Sequence, residues 1–398
     1  MNRWIEVQPV PGSSGRLVRP EPFGGTLAFR RPEMLVMVDK EFLRAYASGW
    51  AGDQSGKTDC DSTAIIPSAP FEAHLTISHR CSSGCQGCYI SASPDAQDEM
   101  GLAEWKEVLS KLARLGVYHV ALGAGEDMSF EPLIELAKYA RRIGMTPNLS
   151  TAGTNLTPKV AEKLNVFGRV HLSMDGVAES FSRVRGHNGY AASLMSLKIL
   201  RAFHKRVGVN CVVARSNYDE LGDLFRLLQR NGIRSVELLR FKPSGRGAKI
   251  FDQMNLTEAQ ERSIVGHVLK LSRKYRMRLR LDCSFTPMVC AEGIDPRRLV
   301  SMGLAGCIGG SWLVSIDGRG RLSSCSFDNS EKQLSWQDLG RPGIMDHYTN
   351  WTEQAPEPCA TCRWLDVCRG GCHVVARHVT GDFNAPDPGC PLVSQPAG

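Results

Sequence analysis

No apolar run in this sequence of 398 residues is long enough to cross a bilayer, because charge breaks its hydrophobic stretches early. That excludes a helical membrane protein. The opening residues, MNRWIEVQPVPGSSGR, put no apolar segment behind their basic residue, so no secretory signal is expected. Aromatics make up only 7% of the chain and are not interleaved with a basic run. The formal charge of +7 therefore reads as scattered solvated charge, not a nucleic-acid surface. Membrane and nucleic acid drop out as partners, and a cytoplasmic protein is expected.

Cysteine, by contrast, is plentiful: the chain has fourteen. In a reducing compartment this many thiols point to metal binding or catalysis before disulfides. Three of them, Cys81, Cys85 and Cys88, fall within HRCSSGCQGCY at 79–89, and no fourth Cys or His follows nearby. A structural zinc site asks for four protein ligands. Three thiolates on one loop suit an iron–sulfur cube with one corner open. Eight more cysteines follow residue 289. Cys211, in VGVNCVVA, reads as a buried strand residue, and Cys60, in KTDCDST, as an incidental thiol.

From Phe71 onward, strand-like and amphipathic stretches alternate. Strands are expected at 71–78, 117–125, 145–151, 169–176, 207–214 and 233–241, and helices at 101–116, 130–144, 157–168, 190–206, 217–232 and 257–275. Six such units with short loops imply a parallel sheet with helices outside, either a partial TIM-like barrel or a doubly wound sheet. The cysteine loop and the turns GAGED, STAGT, SMDG and KPSGR all follow strands, on the edge where such folds place their sites. Beyond residue 283 the chain is rich in Gly, Pro and Cys, with a hairpin expected at 317–325; so loop-rich a segment needs cross-links. A hairpin and short helix are expected at 24–47. The domains are placed at 1–70, 71–282 and 283–398.

Over residues 71–255 these motifs resemble the radical S-adenosylmethionine (SAM) superfamily: Cys-x-x-x-Cys-x-x-Cys with an aromatic after it, GAGE at 123–126, LSTAGTNLT at 149–157, VHLSMDG with RVRG at 170–186, and LLRFKPSGRGA at 238–248. The C-terminal cysteines resemble a SPASM domain, which carries two auxiliary [4Fe–4S] clusters. The class implied is α/β: a partial (β/α)6 TIM-like barrel with a small N-terminal β-rich element and a C-terminal iron–sulfur SPASM domain.

The resemblance implies three [4Fe–4S] clusters and SAM as cofactors. Cys81, Cys85 and Cys88 would hold the cluster whose fourth iron chelates SAM. Tyr89 would pack on the adenine, Gly125 and Glu126 meet the SAM amino group, and Ser150 and Ser173 reach its ribose or carboxylate. Arg185 would pair with the carboxylate, and Lys242 would lie near the adenosine. The first auxiliary cluster would take Cys307, Cys325 and Cys372. Its fourth ligand stays open between Cys290, then Cys283, or an iron left for substrate. The second would take Cys359, Cys362, Cys368 and Cys390; a zinc ribbon over 359–372 is the bland alternative. Two departures mark a divergent subgroup: GAGEDMSFEP replaces a Gly-Gly-Glu-Pro turn, and Ala152 stands where Asn is common. Where sulfatase-maturating enzymes carry a basic Asp, this chain has Ser326. His79, His373 and His378 read as surface or internally satisfied residues, and Trp312 and Trp364 as core or cluster-shielding aromatics.

Similar proteins mature ribosomally made peptides by crosslink, thioether, epimerisation or backbone excision, so a precursor peptide is the first substrate expected. The hairpin at 24–47 would add a leader strand to its edge, helped by a separate recognition protein, and a flavodoxin or ferredoxin would supply electrons. An aminoglycoside or haem precursor is the second substrate class. A non-enzymatic electron carrier comes third, since it needs no open-corner cluster.

Overall fold

The computed structural model describes residues 5–7, 16–30, 33–46, 66–204, 206–328 and 334–393. Cys60 lies outside them. An N-terminal antiparallel sheet runs in simple order through β1 (Ile5–Val7), β2 (Arg16–Glu21), β3 (Gly24–Arg30) and β4 (Glu33–Asp39), followed by helix α1 (Lys40–Tyr46). The expected hairpin is the β3–β4 pair; the two strands before it were not anticipated.

The larger sheet begins with β5 (Glu72–Thr76) and continues through α2 (Leu102–Arg114), β6 (His119–Gly123), α3 (Phe130–Arg142), β7 (Thr146–Thr151), α4 (Pro158–Lys163) and β8 (Val170–Ser173). Next come α5 (Glu179–Arg185), α6 (Tyr190–Phe203), β9 (Val207–Val213), α7 (Leu221–Arg230), β10 (Ser235–Arg240), α8 (Phe251–Met254), α9 (Glu258–Tyr275) and β11 (Arg278–Leu281). Strands β5 to β11 lie side by side in chain order and all pair in parallel. A doubly wound sheet would reverse its strand order part-way, so the unbroken order decides for the partial barrel. β11 is a seventh parallel strand beyond the six expected.

Alternation along each strand sorts side chains to two sides. Val170 and Leu172 on β8 are fully buried in the main core, with Trp105, Leu109 and Leu112 of the amphipathic α2. His171 and Ser173 instead line the barrel interior. Burying one face against helices and leaving the other to a cavity is the period-2 pattern of a strand.

The cysteine-rich segment does not stand apart. After α10 (Thr286–Ala291) and α11 (Pro296–Ser301), strand β12 (Leu313–Ile316) pairs in parallel with β5, Leu313 beside Glu72, and extends the same sheet. β13 (Arg321–Ser323) and β14 (Leu334–Ser335) follow antiparallel, and α12 (Asp346–Thr349), α13 (Leu365–Cys368) and α14 (His373–Thr380) complete the chain. Among the described residues no helix is long and apolar enough to cross a membrane, and thirteen cysteines are free thiols.

The N-terminal sheet docks on the barrel through polar anchors. Arg19 is fully buried and donates to the Gly116 carbonyl at 2.7 Å and that of Ala69 at 2.9 Å. Glu33, leading into β4, takes ion pairs from Arg141 and Arg206. Strand β4 is the sheet's edge, with Met34 and Met37 exposed along it and Phe42 exposed on α1.

Candidate functional site

One cavity of ≈ 1650 Å³ runs through the barrel and under the C-terminal segment. Cys81, Cys85 and Cys88 line it, as do Tyr89, Gly125, Glu126, Ser150, Ser173, Arg185 and Lys242. Cys283, Cys307, Cys325 and Cys372 line it from the other side. Cys290, Cys359, Cys362, Cys368 and Cys390 do not border it.

The cysteine loop after β5 is clamped from several elements. Arg246 donates from Nε to the Cys85 carbonyl at 2.9 Å and from Nη1 to that of Ala92 at 2.5 Å, while its own N–H reaches the Cys88 carbonyl at 3.0 Å. Gly245, at φ +56°, presses on the same loop; a Cβ there would come within 2.4 Å of the Cys88 carbonyl oxygen. At Gly125 the approach is closer still, 2.1 Å from the Arg80 oxygen, so this turn has no room for a side chain.

Arg185 pairs with Asp175 at 2.5 Å, and its Nη1 lies 3.9 Å from the Cys85 sulfur. Burial opposes its charge, but Asp175 and the Cys85 thiol outweigh that and hold the guanidinium protonated. His187 Nε2 lies 3.3 Å from the same sulfur. Arg185 is thus anchored at the three-thiol loop. Glu126 folds back onto the turn after β7, accepting from the N–H of Ala152 at 2.6 Å and Thr154 at 3.1 Å and from Thr151 Oγ1 at 3.0 Å. Ser150 accepts from Asn210 Nδ2 at 3.2 Å. Lys242 pairs with Asp282, and its Nζ sits 4.4 Å over the Phe327 ring, which lies 4.9 Å from that of Tyr89. Burial opposes the charge of Lys242, and Asp282, then Cys372 and Cys283, outweigh it.

Two further thiol groups emerge. Cys307 feels Cys283, Cys325 and Cys372, and burial first, then these neighbours, push its thiol well up. Burial and Asp282 push Cys283 up to about 12. Cys359 is pushed up to about 12 by burial, then by Cys390 and Cys362, and Cys368 is raised by a hydrogen bond with Cys290, by burial and by Cys390 and Cys359. The two candidates for the fourth position therefore part company. Cys283 joins Cys307, Cys325 and Cys372, whereas Cys290, 1% exposed, meets Cys368. Their separation along one helical stretch is about 10 Å, enough to span from one group to the other.

The donor set fits iron–sulfur clusters. Buried thiols resist ionisation alone, and a bound cation displaces the proton outright. Among the described residues no three His, Cys, Asp or Glu side chains are arranged for a single metal ion. A cube spreads its ligands over separate irons, which wider spacing suits. Tyr348 lines the same cavity, and its hydroxyl is buried with no partner.

Residues 75–228 match the model of the Radical SAM superfamily. The chain carries a radical SAM domain. Its similarity to curated proteins extends over most of its length. It is 29% identical to mycofactocin maturase MftC of Mycolicibacterium smegmatis over 335 residues, covering 81% of this chain and 83% of that protein. It is 29% identical to Fe-coproporphyrin III synthase of Methanosarcina barkeri over 355 residues, 81% and 88% of the two chains. It is 28% identical to PqqA peptide cyclase of Bradyrhizobium diazoefficiens over 350 residues, 83% and 88%. The fold matches Streptococcus suis SuiB bound to S-adenosylmethionine, with TM-score 0.72 at 15% identity, over 94% of this chain and 98% of that one.

Sequence reasoning passed over Arg246, Asp175, His187 and the pairing of Lys242 with Asp282. The Gly-Arg of PSGR and the Asp of SMDG were visible as motif members, but which loop each side chain reaches is a tertiary fact. His373, read as a surface or satisfied residue, is 1% exposed and packs against the rings of Trp351 and Phe383. Ser326 Oγ lies 2.8 Å from His74 Nδ1, inside the cavity. His79 pairs with Glu99, and Trp364 donates to the Ile294 carbonyl at 2.8 Å.

Proposed function

We propose that this protein is a SPASM-type maturase that uses SAM to begin radical modification of a precursor peptide in the cytoplasm. The observation that carries this reading is the shared cavity: the three-thiol loop and the first auxiliary thiol group border one space, so a substrate lodged there lies between both.

Under this reading Cys81, Cys85 and Cys88 hold a [4Fe–4S] cluster with one iron left for SAM. Bound there, cluster and SAM would supply the radical chemistry that removes hydrogen from an unactivated C–H bond. The chain's own residues position and shield that chemistry. Arg246, Gly245 and Gly125 fix the thiol loop. Arg185 sets positive charge beside Cys85, fit to neutralise a carboxylate or cluster charge. Tyr89, Ser150 and Ser173 offer a ring and hydroxyls on the SAM side, and Glu126 orders the turn that faces the amino group.

Cys283, Cys307, Cys325 and Cys372 would hold the first auxiliary cluster, and four protein thiolates there favour an electron-transfer role over substrate ligation. Cys359, Cys362, Cys368 and Cys390 hold the second, off the cavity, with Cys290 in its surroundings. A flavodoxin or ferredoxin supplies electrons. The edge strand β4, with exposed Met34 and Met37, takes the leader by strand addition. So small a sheet leaves room for a separate recognition protein.

A porphyrin-like substrate is the second reading, and the resemblance to Fe-coproporphyrin III synthase favours it. The lining weighs against it: Glu72, His74, His119, His171, Glu237 and Arg280 give the lower barrel a polar wall suited to peptide groups.

The test is anaerobic reconstitution with SAM and dithionite, with 5′-deoxyadenosine followed by mass spectrometry. Production that disappears in the Cys81→Ala/Cys85→Ala/Cys88→Ala variant supports the radical reading; iron-loaded protein that makes none overturns it. A mass loss or crosslink in a short peptide encoded beside the gene, with Fe-coproporphyrin precursors unchanged, supports the peptide.

A further inference from the structure

The first auxiliary thiol group has a buried neighbour that no other role explains. Tyr348, on α12, is 3% exposed, and its hydroxyl has no hydrogen-bond partner in the protein. An unpaired buried hydroxyl destabilises the fold, so a phenylalanine would be the cheaper residue if nothing came to meet it. The ring cannot swing away. Phe383 meets it edge-on at 4.7 Å, and His373 does so at 5.7 Å. Arg369 holds the backbone from behind, donating to the Thr349 carbonyl at 2.8 Å. Gly309, two residues past Cys307, lies so close that a Cβ would come 3.1 Å from the Tyr348 ring.

The fixed ring borders the same cavity as Cys283, Cys307, Cys325 and Cys372. A phenol keeps its proton near neutral pH, so it offers a neutral donor. The Trp351 indole nitrogen is likewise buried without a partner, but it does not border the cavity.

We propose that the Tyr348 hydroxyl donates a hydrogen bond to a sulfur of the cluster held by Cys283, Cys307, Cys325 and Cys372, and so raises that cluster's reduction potential. This rests on the auxiliary-cluster reading above. Reduction adds negative charge to the cube, and a donor on its sulfur stabilises the added charge. Tyr348 acts on the cluster through this bond and handles no substrate.

The full chain with Cys81→Ala, Cys85→Ala and Cys88→Ala, reconstituted with iron and sulfide, isolates the auxiliary centres for redox titration read by electron paramagnetic resonance. Cys283→Ala marks which signal belongs to the first centre. Tyr348→Phe keeps the ring and removes only the hydroxyl; it is expected to shift that signal alone to more negative potential, at unchanged iron content. An unchanged potential, or an equal shift of both centres, overturns the proposal. Absence of any auxiliary signal before Tyr348 is touched overturns the cluster reading itself, and this inference with it.

Discussion

Arg240, at the end of β10, donates from Nη1 to the Asp387 carboxylate at 2.7 Å, and neither side chain has any exposure. Its Nη2 reaches Glu261 on α9 at 3.0 Å. Asp387 in turn accepts from the N–H of Cys372 and of Gly389, both at 2.9 Å. A barrel strand thus sets the backbone at Cys372 and next to Cys390, two of the cysteines proposed to hold auxiliary clusters.

Arg240→Leu leaves Asp387 and Glu261 buried without their counter-charge, so we expect a loss of about 3–5 kcal/mol. The urea midpoint of the purified protein measures it. Iron content should fall with it, since Cys372 and Cys390 flank the orphaned carboxylate. A midpoint within error of wild type contradicts the buried triad.

Cys283→Ala and Cys290→Ala should separate cleanly. The first is expected to remove one cluster's worth of iron and sulfide, and the second to leave both near wild type. Iron and sulfide analysis per chain decides; the reverse pattern would return the fourth position to Cys290.

Gly125→Ala puts a methyl where the Arg80 carbonyl already stands, 2.1 Å from the new Cβ. The cysteine loop must shift, and misplacement of about 1 Å can cost about 10²-fold in rate. We expect 5′-deoxyadenosine formation to fall on that order with iron content retained.

Glu72 supplies an acid signature. Burial alone would raise its carboxyl, but the hydrogen bond and charge of His74, then His119 and Arg280, bring it down from 4.5 to about 2. A folded value below the unfolded one stabilises the fold above pH 4.5, and the contribution is lost as pH falls toward 2. Glu72→Gln should therefore flatten the denaturation midpoint between pH 5 and 3 relative to wild type.

Much of this was legible in the chain. The strands at 71–78 and 207–214 fall on β5 and β9, because short apolar runs with alternating burial are local properties. The short α5 was missed, since seven residues carry too little periodicity to announce a helix. β11 was missed because its alternation is Arg with Leu, and an exposed Arg face hides a strand from an apolar pattern. Cys359, Cys362 and Cys368 lie within ten residues, but their grouping on one cluster came from the resemblance to a SPASM domain.

The sequence by itself determined the alternation of strand and helix, the three-thiol loop and the abundance of thiols, because each is written in spacing along the chain. Tertiary structure alone decided that Cys283 lies within electrostatic reach of Cys307 while Cys290 hydrogen-bonds Cys368, that Arg185 answers Asp175, and that Lys242 turns to Asp282. Those pairings join residues brought together by the curvature of the sheet and by β12 docking on β5. Spacing along a chain cannot encode which of two thiols a distant loop will meet; packing does.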